Sequence, residues 1–345
     1  MEISSKNVTL DSSTLGNGLN LNGKGTLSIS AQKMLDIRGK NAFVVQDPEA
    51  VLTVDANSST QSTITGNWDV KQGQASVFLG SNADIKGVMT TTNGSLSMSM
   101  KDNGKFTGAA NGTQLDMTFG DKSAWYLTAD SSVRSLTGNG ALINFAGLPD
   151  PGEAIHTSQY RNLQTQCFKG TSNTLAMHID LANETASQKL LDQFVVTGKA
   201  EGTHVAQITF DSVDAVKSHS INWLISQGEG SNMTITNRDG SNTFSGRGMV
   251  SVWSLGFVKT GEETLLDTDD GRQQISTQTN GNGPGKWYLV KSENSQPDPG
   301  PSPDPTPNPN PPTPPLPPEV NNNITIGTSS GQAEAYQADM EDLRK

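Results

Sequence analysis

Side chains able to do chemistry are few and widely spaced in this chain of 345 residues. Serine hydrolases often carry the nucleophile in a glycine–x–serine–x–glycine turn, and that pattern does not occur here. A serine, a histidine and an aspartate could still form a triad in space. Nothing in the sequence singles out such a set around the four histidines, which are His156, His178, His204 and His219. We therefore predict no catalytic residue.

Acidic residues form two groups that could bind a cation or act on a sugar chain. The segment LDTDDGRQ contains Asp267, Asp269 and Asp270, but it lacks the glycine and the glutamate that an EF-hand loop needs. The second group lies mostly beside asparagine and glycine, where aspartate favours turns; it comprises Asp84, Asp102, Asp116 and Asp121. We interpret both groups as solvated turns and predict neither a metal nor a cofactor.

Cysteine and tryptophan are the remaining candidates. Cys167 is the one cysteine of the chain, so no disulfide can form within it. It precedes Phe168 in a strand-like run, and we expect a buried thiol that packs as a small hydrophobic group. Trp223, Trp253 and Trp287 could stack on sugars, but filling a core is the preferred interpretation.

Composition and charge exclude several classes of function. The net charge is −11, with 24 basic and 35 acidic residues and no basic cluster, which argues against nucleic acid and anionic membrane surfaces as partners. The 35 glycines, together with many serines, threonines and asparagines, are typical of an all-β chain rich in turns. No apolar run approaches the roughly 20 residues of a membrane-spanning helix.

Short segments that alternate between apolar and polar residues recur through the N-terminal half. They read TLSIS from Thr26, VLTVD from Val51, SVFLG from Ser76, SLSMS from Ser95 and QLDMTF from Gln114. Gly66, Gly87 and Gly108 follow with a spacing of 21 residues. Alternation with period 2 predicts half-buried strands, and a period near 20 residues predicts a stack of coiled strands. We predict a right-handed, single-stranded parallel β-helix, with a β-sandwich as the alternative.

A proline-rich segment separates this body from the end of the chain. Gln296–Pro318 contains 13 of the 17 prolines, which fix the backbone and remove hydrogen-bond donors. We expect a disordered, extended linker in this region. The following Ser330–Lys345 is rich in residues that favour helices.

The region from Trp125 to Glu293 resembles the passenger stem of monomeric autotransporters of Gram-negative bacteria, the pertactin-like group. The stem pattern is carried by Trp125, Ser132, Leu136, Phe145, Asp192, Phe194, Val196, Gly202 and His204, with departures at Gln193 and Cys167. The last part is similar to the family's autochaperone, the cap of the stem, through Trp253, Gly285, Trp287, Tyr288 and Leu289.

The end of the chain resembles the linker helix that leads into the outer-membrane barrel of this family. Met340 begins MEDLR, which is similar to the end of that helix in the self-cleaving members. Those members cut between two asparagines, whereas the matching places here are Glu334 and Ala335. The resemblance therefore does not extend to self-cleavage.

Together these patterns predict four segments: a β-helical stem at 1–234, a β cap at 235–293, a proline-rich linker at 294–329 and a short helix at 330–345. The resemblance implies a non-enzymatic adhesin stem, exported through the periplasm to the bacterial cell surface and either kept there or released. Its implied partners are a host matrix or cell-surface ligand, or other copies, together with the chain's own outer-membrane barrel. Two alternatives stay open: a polysaccharide-processing β-helix enzyme, and a stem that serves only secretion and folding.

Overall fold

The recurring alternating segments form neighbouring strands of one parallel sheet. Ile29 is paired with Val54, and Val54 with Val77 of the next strand. The same ladder continues from Val77 to Met98 and from Met98 to Met117. All five side chains are buried, because each occupies an inward position of its strand. The predicted parallel stacking of the repeats is confirmed.

The computed structural model describes residues 1–12, 16–146, 159–180, 190–211, 222–245, 252–262 and 279–291. Within these ranges it contains 25 strands and no helix. In chain order the first twelve are β1 Glu2–Asp11, β2 Asn17–Leu21, β3 Gly25–Val45, β4 Ala50–Ala56, β5 Gln61–Val70, β6 Gln74–Leu79, β7 Asp84–Lys86, β8 Met89–Thr91, β9 Ser95–Met100, β10 Lys105–Thr107, β11 Ala110–Asn111 and β12 Leu115–Phe119. The others are β13 Ala124–Tyr126, β14 Ser131–Asn139, β15 Leu142–Asn144, β16 Asn162–Thr171, β17 Thr174–Ile179, β18 Gln193–Val196, β19 Glu201–Phe210, β20 Asn222–Gln227, β21 Asn232–Thr236, β22 Thr243–Phe244, β23 Trp253–Lys259, β24 Asn280–Asn282 and β25 Gly285–Lys291.

Three parallel ladders run side by side through the stack. One joins β3, β4, β6, β9, β12, β14 and β16, and the second joins β3, β5, β7, β10, β13, β15, β17 and β19. The third joins β5, β8, β11, β14, β16, β18 and β20. This arrangement is compatible with a β-helix. No described helix has the length and apolar character needed to cross a membrane.

The core fills the inside of the stack with side chains from successive turns. Phe43 packs edge-on against Trp68, with ring centroids 4.8 Å apart. Further along, Trp125 is stacked between Phe106 at 5.6 Å and Phe119 at 6.1 Å. All five rings are at most 1% exposed. Burying one large apolar side chain contributes about 1.5–3 kcal/mol, so the stability of the stack comes from contacts between turns.

One corner of the stack repeats a left-handed backbone conformation. Asn82, Asn103 and Lys122 have φ values of 61°, 59° and 55°, and Gly140 and Ser172 follow with 73° and 57°. Each of these residues donates its backbone N–H to a carbonyl of the next turn, at 2.7 to 3.1 Å. Asparagine and glycine tolerate this conformation best, which explains the small polar turns of the sequence.

Pairing changes direction near the C-terminal end of the described chain. β25 lies between β20 and β23 and is antiparallel to both. β24 pairs antiparallel with β21, and β22 with β23. At the other end, β1 pairs in parallel with β3. We call β22–β25 the terminal strands.

Asp102 and Asp121 lie in exposed turns, as predicted. The predictions for three other residues are wrong. Asp84 and Asp116 do not lie in turns but point outward from β7 and β12, where they pair with Lys86 at 3.6 Å and with Arg134. Cys167 is half-buried, because the inward positions shift by one residue between Thr165 and Phe168, where β16 passes from one ladder to the next.

Several predicted features lie outside the described residues. They are the linker 294–329, the helix 330–345, the acidic segment with Asp267, Asp269 and Asp270, and the histidines His156 and His219. Met1–Gln296 forms one compact unit of the chain, and Pro297–Lys345 is assigned to a second. The predicted boundary between 234 and 235 falls inside β21.

Candidate functional site

Six titratable side chains lie near one another at one corner of the described part of the stack. We call it the aspartate corner and define it as Tyr160, Arg161, His178, Asp180, Asp192 and Asp211. The second ladder brings it together, since β17 stacks on β19 and ends beside it. Asp180 and Asp211 directly follow β17 and β19. Residues 147–158, 181–189 and 212–221, which connect the strands here, lie outside the described part of the chain.

Asp192 is the most buried member, with 1% of its surface exposed. Its Oδ1 accepts the backbone N–H of Arg161 at 2.7 Å. Its Oδ2 accepts the backbone N–H of His178 at 2.7 Å and lies 3.3 Å from His178 Nδ1. The carboxylate therefore joins the start of β16 to the end of β17. This explains a buried acidic residue at a position that the stem pattern singled out.

Tyr160 and Asp211 form a second pair, in which the phenol donates to Asp211 Oδ2 at 2.9 Å. Burial and the neighbouring Asp211 carboxylate raise the pKa of Tyr160 above its ordinary value. Burial also raises the pKa of Asp211, and the hydrogen bond from Tyr160 partly opposes this shift. Asp180 and Asp192 act in the same direction as burial, because like charges disfavour ionisation.

Arg161 is the one arginine of the corner and is half-buried. Its Nη1 donates to the carbonyl oxygen of Phe145, while its buried Nε has no hydrogen-bond partner among the described residues. Burial lowers the pKa of this guanidinium, whereas Asp192 and Asp130 raise it. The corner thus gathers three carboxylates around one guanidinium, one imidazole and one phenol.

Chemically, the corner combines the hydrogen-bonded pair Tyr160 and Asp211 with the buried carboxylate of Asp192. Asp192 accepts hydrogen bonds from two backbone N–H groups and lies beside His178, which is a structural role, and the phenol of Tyr160 donates its proton to Asp211 in a hydrogen bond. Carboxylates from consecutive turns at one corner are the arrangement that favours a polysaccharide-processing enzyme. The described residues bring no three His, Cys, Asp or Glu side chains into a metal-binding group.

The stem-pattern residues Trp125 and Gly202 occupy structural positions. Trp125 is fully buried, and its Nε1 donates to the carbonyl oxygen of Gly108 at 3.0 Å. Gly202 has φ +108°, and a Cβ there would lie 1.8 Å from the carbonyl oxygen of Gly170. Both residues bring turns into close contact, and neither lies in the aspartate corner.

His204 is buried on the inside of the same stack. Its ring lies 4.4 Å from that of Phe168. Nε2 lies 3.0 Å from the carbonyl oxygen of Glu201, and Nδ1 lies 3.3 Å from Asn173 Nδ2. A neutral ring that donates through Nε2 and accepts through Nδ1 satisfies both contacts. Burial lowers the pKa of His204 to about 4, so the ring is neutral at neutral pH.

The predicted cap residues come together in the terminal strands. Trp287 is fully buried between Ile225 and Phe257, which are its partners in the two neighbouring strands. Leu289 and Tyr288 follow it in β25 and are also buried. At the start of β25, a Cβ on Gly285 would lie 2.4 Å from the carbonyl oxygen of Val258. The side chains therefore form a packed layer rather than a polar site.

Trp253 and Trp223 complete the tryptophans of this end. Trp253 is 5% exposed and lies 6.4 Å from the ring of Phe210. Trp223 is half-buried and carries the ammonium of Lys286 at 5.2 Å from its ring. Core filling thus holds for Trp253 and Trp287, whereas Trp223 lies half-buried in β20.

Sequence reasoning missed most of the aspartate corner. Asp192 was named from the stem pattern, but Tyr160, Arg161, Asp180 and Asp211 carried no motif. A weak signal existed, since Arg161, Asp180 and Asp211 directly precede or follow a strand at a long connection, and Tyr160 lies two residues before β16. Comparison of the chain with protein-family models and with curated proteins finds no match.

Proposed function

We propose that this chain is the β-helical stem of a surface-exposed autotransporter passenger that has no enzymatic activity. In this proposal β1–β21 form a right-handed parallel β-helix, and the terminal strands are its cap. The observation that carries the proposal is the change from parallel to antiparallel pairing at β25, which buries Trp287 against the last turn. Such an end unit shields the apolar last turn of a solenoid and favours the growth of the stack from that end.

The folding role of the cap can be tested with matched tryptophan variants. Trp287→Ala and Trp68→Ala both remove a fully buried ring, one in the terminal strands and one in β5. Each should cost about 3–5 kcal/mol of stability. If the cap starts folding, Trp287→Ala slows refolding from denaturant much more than Trp68→Ala, as followed by far-UV circular dichroism. Equal slowing by both variants contradicts the proposal.

The surface role follows from the resemblance of the stem and concerns partners outside the chain. An adhesin stem binds an extracellular-matrix or cell-surface ligand, or other copies of itself, at the bacterial outer membrane. Binding of the purified chain to immobilised matrix proteins, together with sedimentation at increasing concentration, tests both partners. A chain that binds neither supports the alternative of a stem that serves only secretion and folding.

The aspartate corner favours a second candidate, a polysaccharide-processing enzyme. Asp211 with its raised pKa and Tyr160 could hold a proton for a leaving group, and Asp180 could act as the base. The test incubates the chain with neutral and acidic polysaccharides and measures new chain ends. Product from the wild-type chain and none from Asp211→Asn establishes the enzyme, and no product from either supports the non-enzymatic stem.

A further inference from the structure

We propose that Asn22 is a modification site, at which the chain converts this asparagine to aspartate or isoaspartate through the backbone nitrogen of Gly23. An asparagine followed by glycine is prone to this reaction, because glycine has no Cβ to hinder its own nitrogen. The sequence contains eight such pairs, which begin at Asn17, Asn22, Asn93, Asn103, Asn111, Asn139, Asn280 and Asn282. The proposal goes beyond the role of the stem and does not depend on what the stem binds.

The reaction takes place within the chain and consumes only water. The backbone nitrogen of the glycine attacks Cγ of the asparagine, so that an N–Cγ bond forms and the Cγ–Nδ2 bond breaks. Nδ2 leaves as ammonia and takes with it the proton of the glycine nitrogen. Water then opens the succinimide ring at one of its two carbonyl carbons, which gives aspartate or isoaspartate. The reaction is therefore favoured where neither the glycine N–H nor the asparagine side chain is held by a hydrogen bond.

In four of the eight pairs, a residue from another part of the stack holds the N–H of the glycine. These glycines donate at 2.8 to 3.1 Å, from Gly104 to Ser123 Oγ and from Gly112, Gly140 and Gly283 to the carbonyl oxygens of Ser132, Thr171 and Ser231. The asparagine side chain is held as well in two of the pairs, since Oδ1 of Asn111 and of Asn139 accepts a backbone N–H of the next turn at 3.1 and 3.2 Å. Attack at these pairs requires the stacked strands to separate first.

Two further pairs lie within strands. The side chain of Asn17 in β2 accepts the amide of Asn41 at 2.9 Å, and that of Asn280 in β24 accepts the hydroxyl of Thr234 at 2.7 Å. The same residues are partners in the strand pairing, which fixes the backbone on either side of the side chain. These two asparagines are therefore also held away from the attack geometry.

Asn22 and Asn93 begin the two pairs that lack such contacts. Within the described ranges, neither of the two side chains and neither of the following glycine N–H groups has a hydrogen-bond partner. The two pairs differ in the space around them. A Cβ on Gly94 would lie 2.7 Å from Val70 Cγ1, whereas a Cβ on Gly23 would meet nothing within 4 Å. Asn22 and Gly23 are exposed in the connection from β2 to β3, so this pair is the one with room to react.

The product changes the surface of the first turns without changing their pairing. A carboxylate at position 22 adds a negative charge two residues before Lys24, which forms an exposed ion pair with Glu49. Isoaspartate also adds one carbon to the backbone of the connection. Because neither Asn22 nor Gly23 belongs to a ladder, β2 and β3 keep their register.

Peptide mapping by mass spectrometry tests the assignment in the wild-type chain. The purified chain is incubated at mildly alkaline pH, once folded and once in urea, and aspartate and isoaspartate are quantified at all eight pairs over time. In urea the eight pairs should react at similar rates, because each asparagine is followed by glycine. In the folded chain Asn22 should keep most of its rate, whereas Asn111 and Asn139 should slow by more than about tenfold, because their turns must open first.

Gly23→Ala is the matched variant, because alanine fits at this position while its Cβ hinders the attacking nitrogen. The rate at Asn22 should fall by about tenfold, and the rates at Asn93 and Asn111 should stay the same. The assignment is overturned if Asn22 of the folded wild-type chain reacts no faster than Asn93 or Asn111. An unchanged rate at Asn22 in Gly23→Ala would also overturn it.

Discussion

Gly87→Ala tests how tightly consecutive turns of the stack are packed. Gly87 follows β7 with φ +144°, and a Cβ there would lie 2.2 Å from the carbonyl oxygen of Gly66 and 2.6 Å from its carbonyl carbon. Gly25 has the same φ of +144°, but its Cβ would meet nothing within 4 Å. Comparing Gly87→Ala with Gly25→Ala separates the cost of backbone strain from the cost of steric contact between turns. Both alanines have the same φ, but only the one at position 87 would contact Gly66.

The magnitude follows from the geometry around Gly87. Both substitutions carry the strain of a positive φ, about 1–3 kcal/mol. At Gly87 the added Cβ must move from 2.2 Å to about 3.4 Å from Gly66, which opens the two turns by about 1.2 Å. Two hydrogen bonds join these turns beside the contact, from the Trp68 N–H to the carbonyl oxygen of Val88 at 2.8 Å and from the Val88 N–H to Asn67 Oδ1 at 3.0 Å, and both are then weakened. Each contributes about 1 kcal/mol, so Gly87→Ala should cost about 2 kcal/mol more than Gly25→Ala.

Urea unfolding followed by far-UV circular dichroism measures this difference, and the fluorescence of the five tryptophans gives a second probe of the same transition. The dependence of the unfolding free energy on urea should stay the same while the midpoint falls. Equal midpoints for the two alanine variants would refute the reasoning, because the contact with Gly66 would then carry no energy.

Two further predictions concern buried and half-buried side chains. The pKa of His204 is about 4 in the folded chain and about 6.5 in the unfolded chain, so the unfolded chain is protonated at the higher pH. The free energy of unfolding therefore falls as the pH drops from about 6.5 to about 4. Over this range the wild-type chain should lose roughly 3 kcal/mol of unfolding free energy more than His204→Gln does, as measured by urea unfolding. Unfolding free energies that change equally with pH in the two proteins would contradict this prediction. Cys167 should react with a thiol reagent in the native chain, and Cys167→Ser should cost less than about 1 kcal/mol. Labelling that starts only on unfolding would show instead that the thiol is inaccessible.

Much of the stack could be predicted from the sequence because alternating apolar and polar residues recur at a nearly regular spacing. An alternating segment specifies which side chains point inward, whatever the neighbouring strand contributes. The spacing of 21 residues between Gly66, Gly87 and Gly108 then predicts the number of residues in one turn of the stack. The ladder from Ile29 to Met117 follows from these two facts. The burial of Trp287 likewise follows from its place in an apolar strand.

The tertiary structure alone decided the features that depend on long-range register. Cys167 is half-buried rather than fully buried because β16 shifts its inward positions between two ladders, which local alternation does not reveal. Tyr160 meets Asp211 across 51 residues, because strands of different turns end at the same corner. Residues just before or after a strand are not part of an alternating pattern, so the sequence does not indicate which side chains they contact. Their partners depend on how the turns are stacked. The sequence therefore determined the repeat, and the stacking determined the aspartate corner.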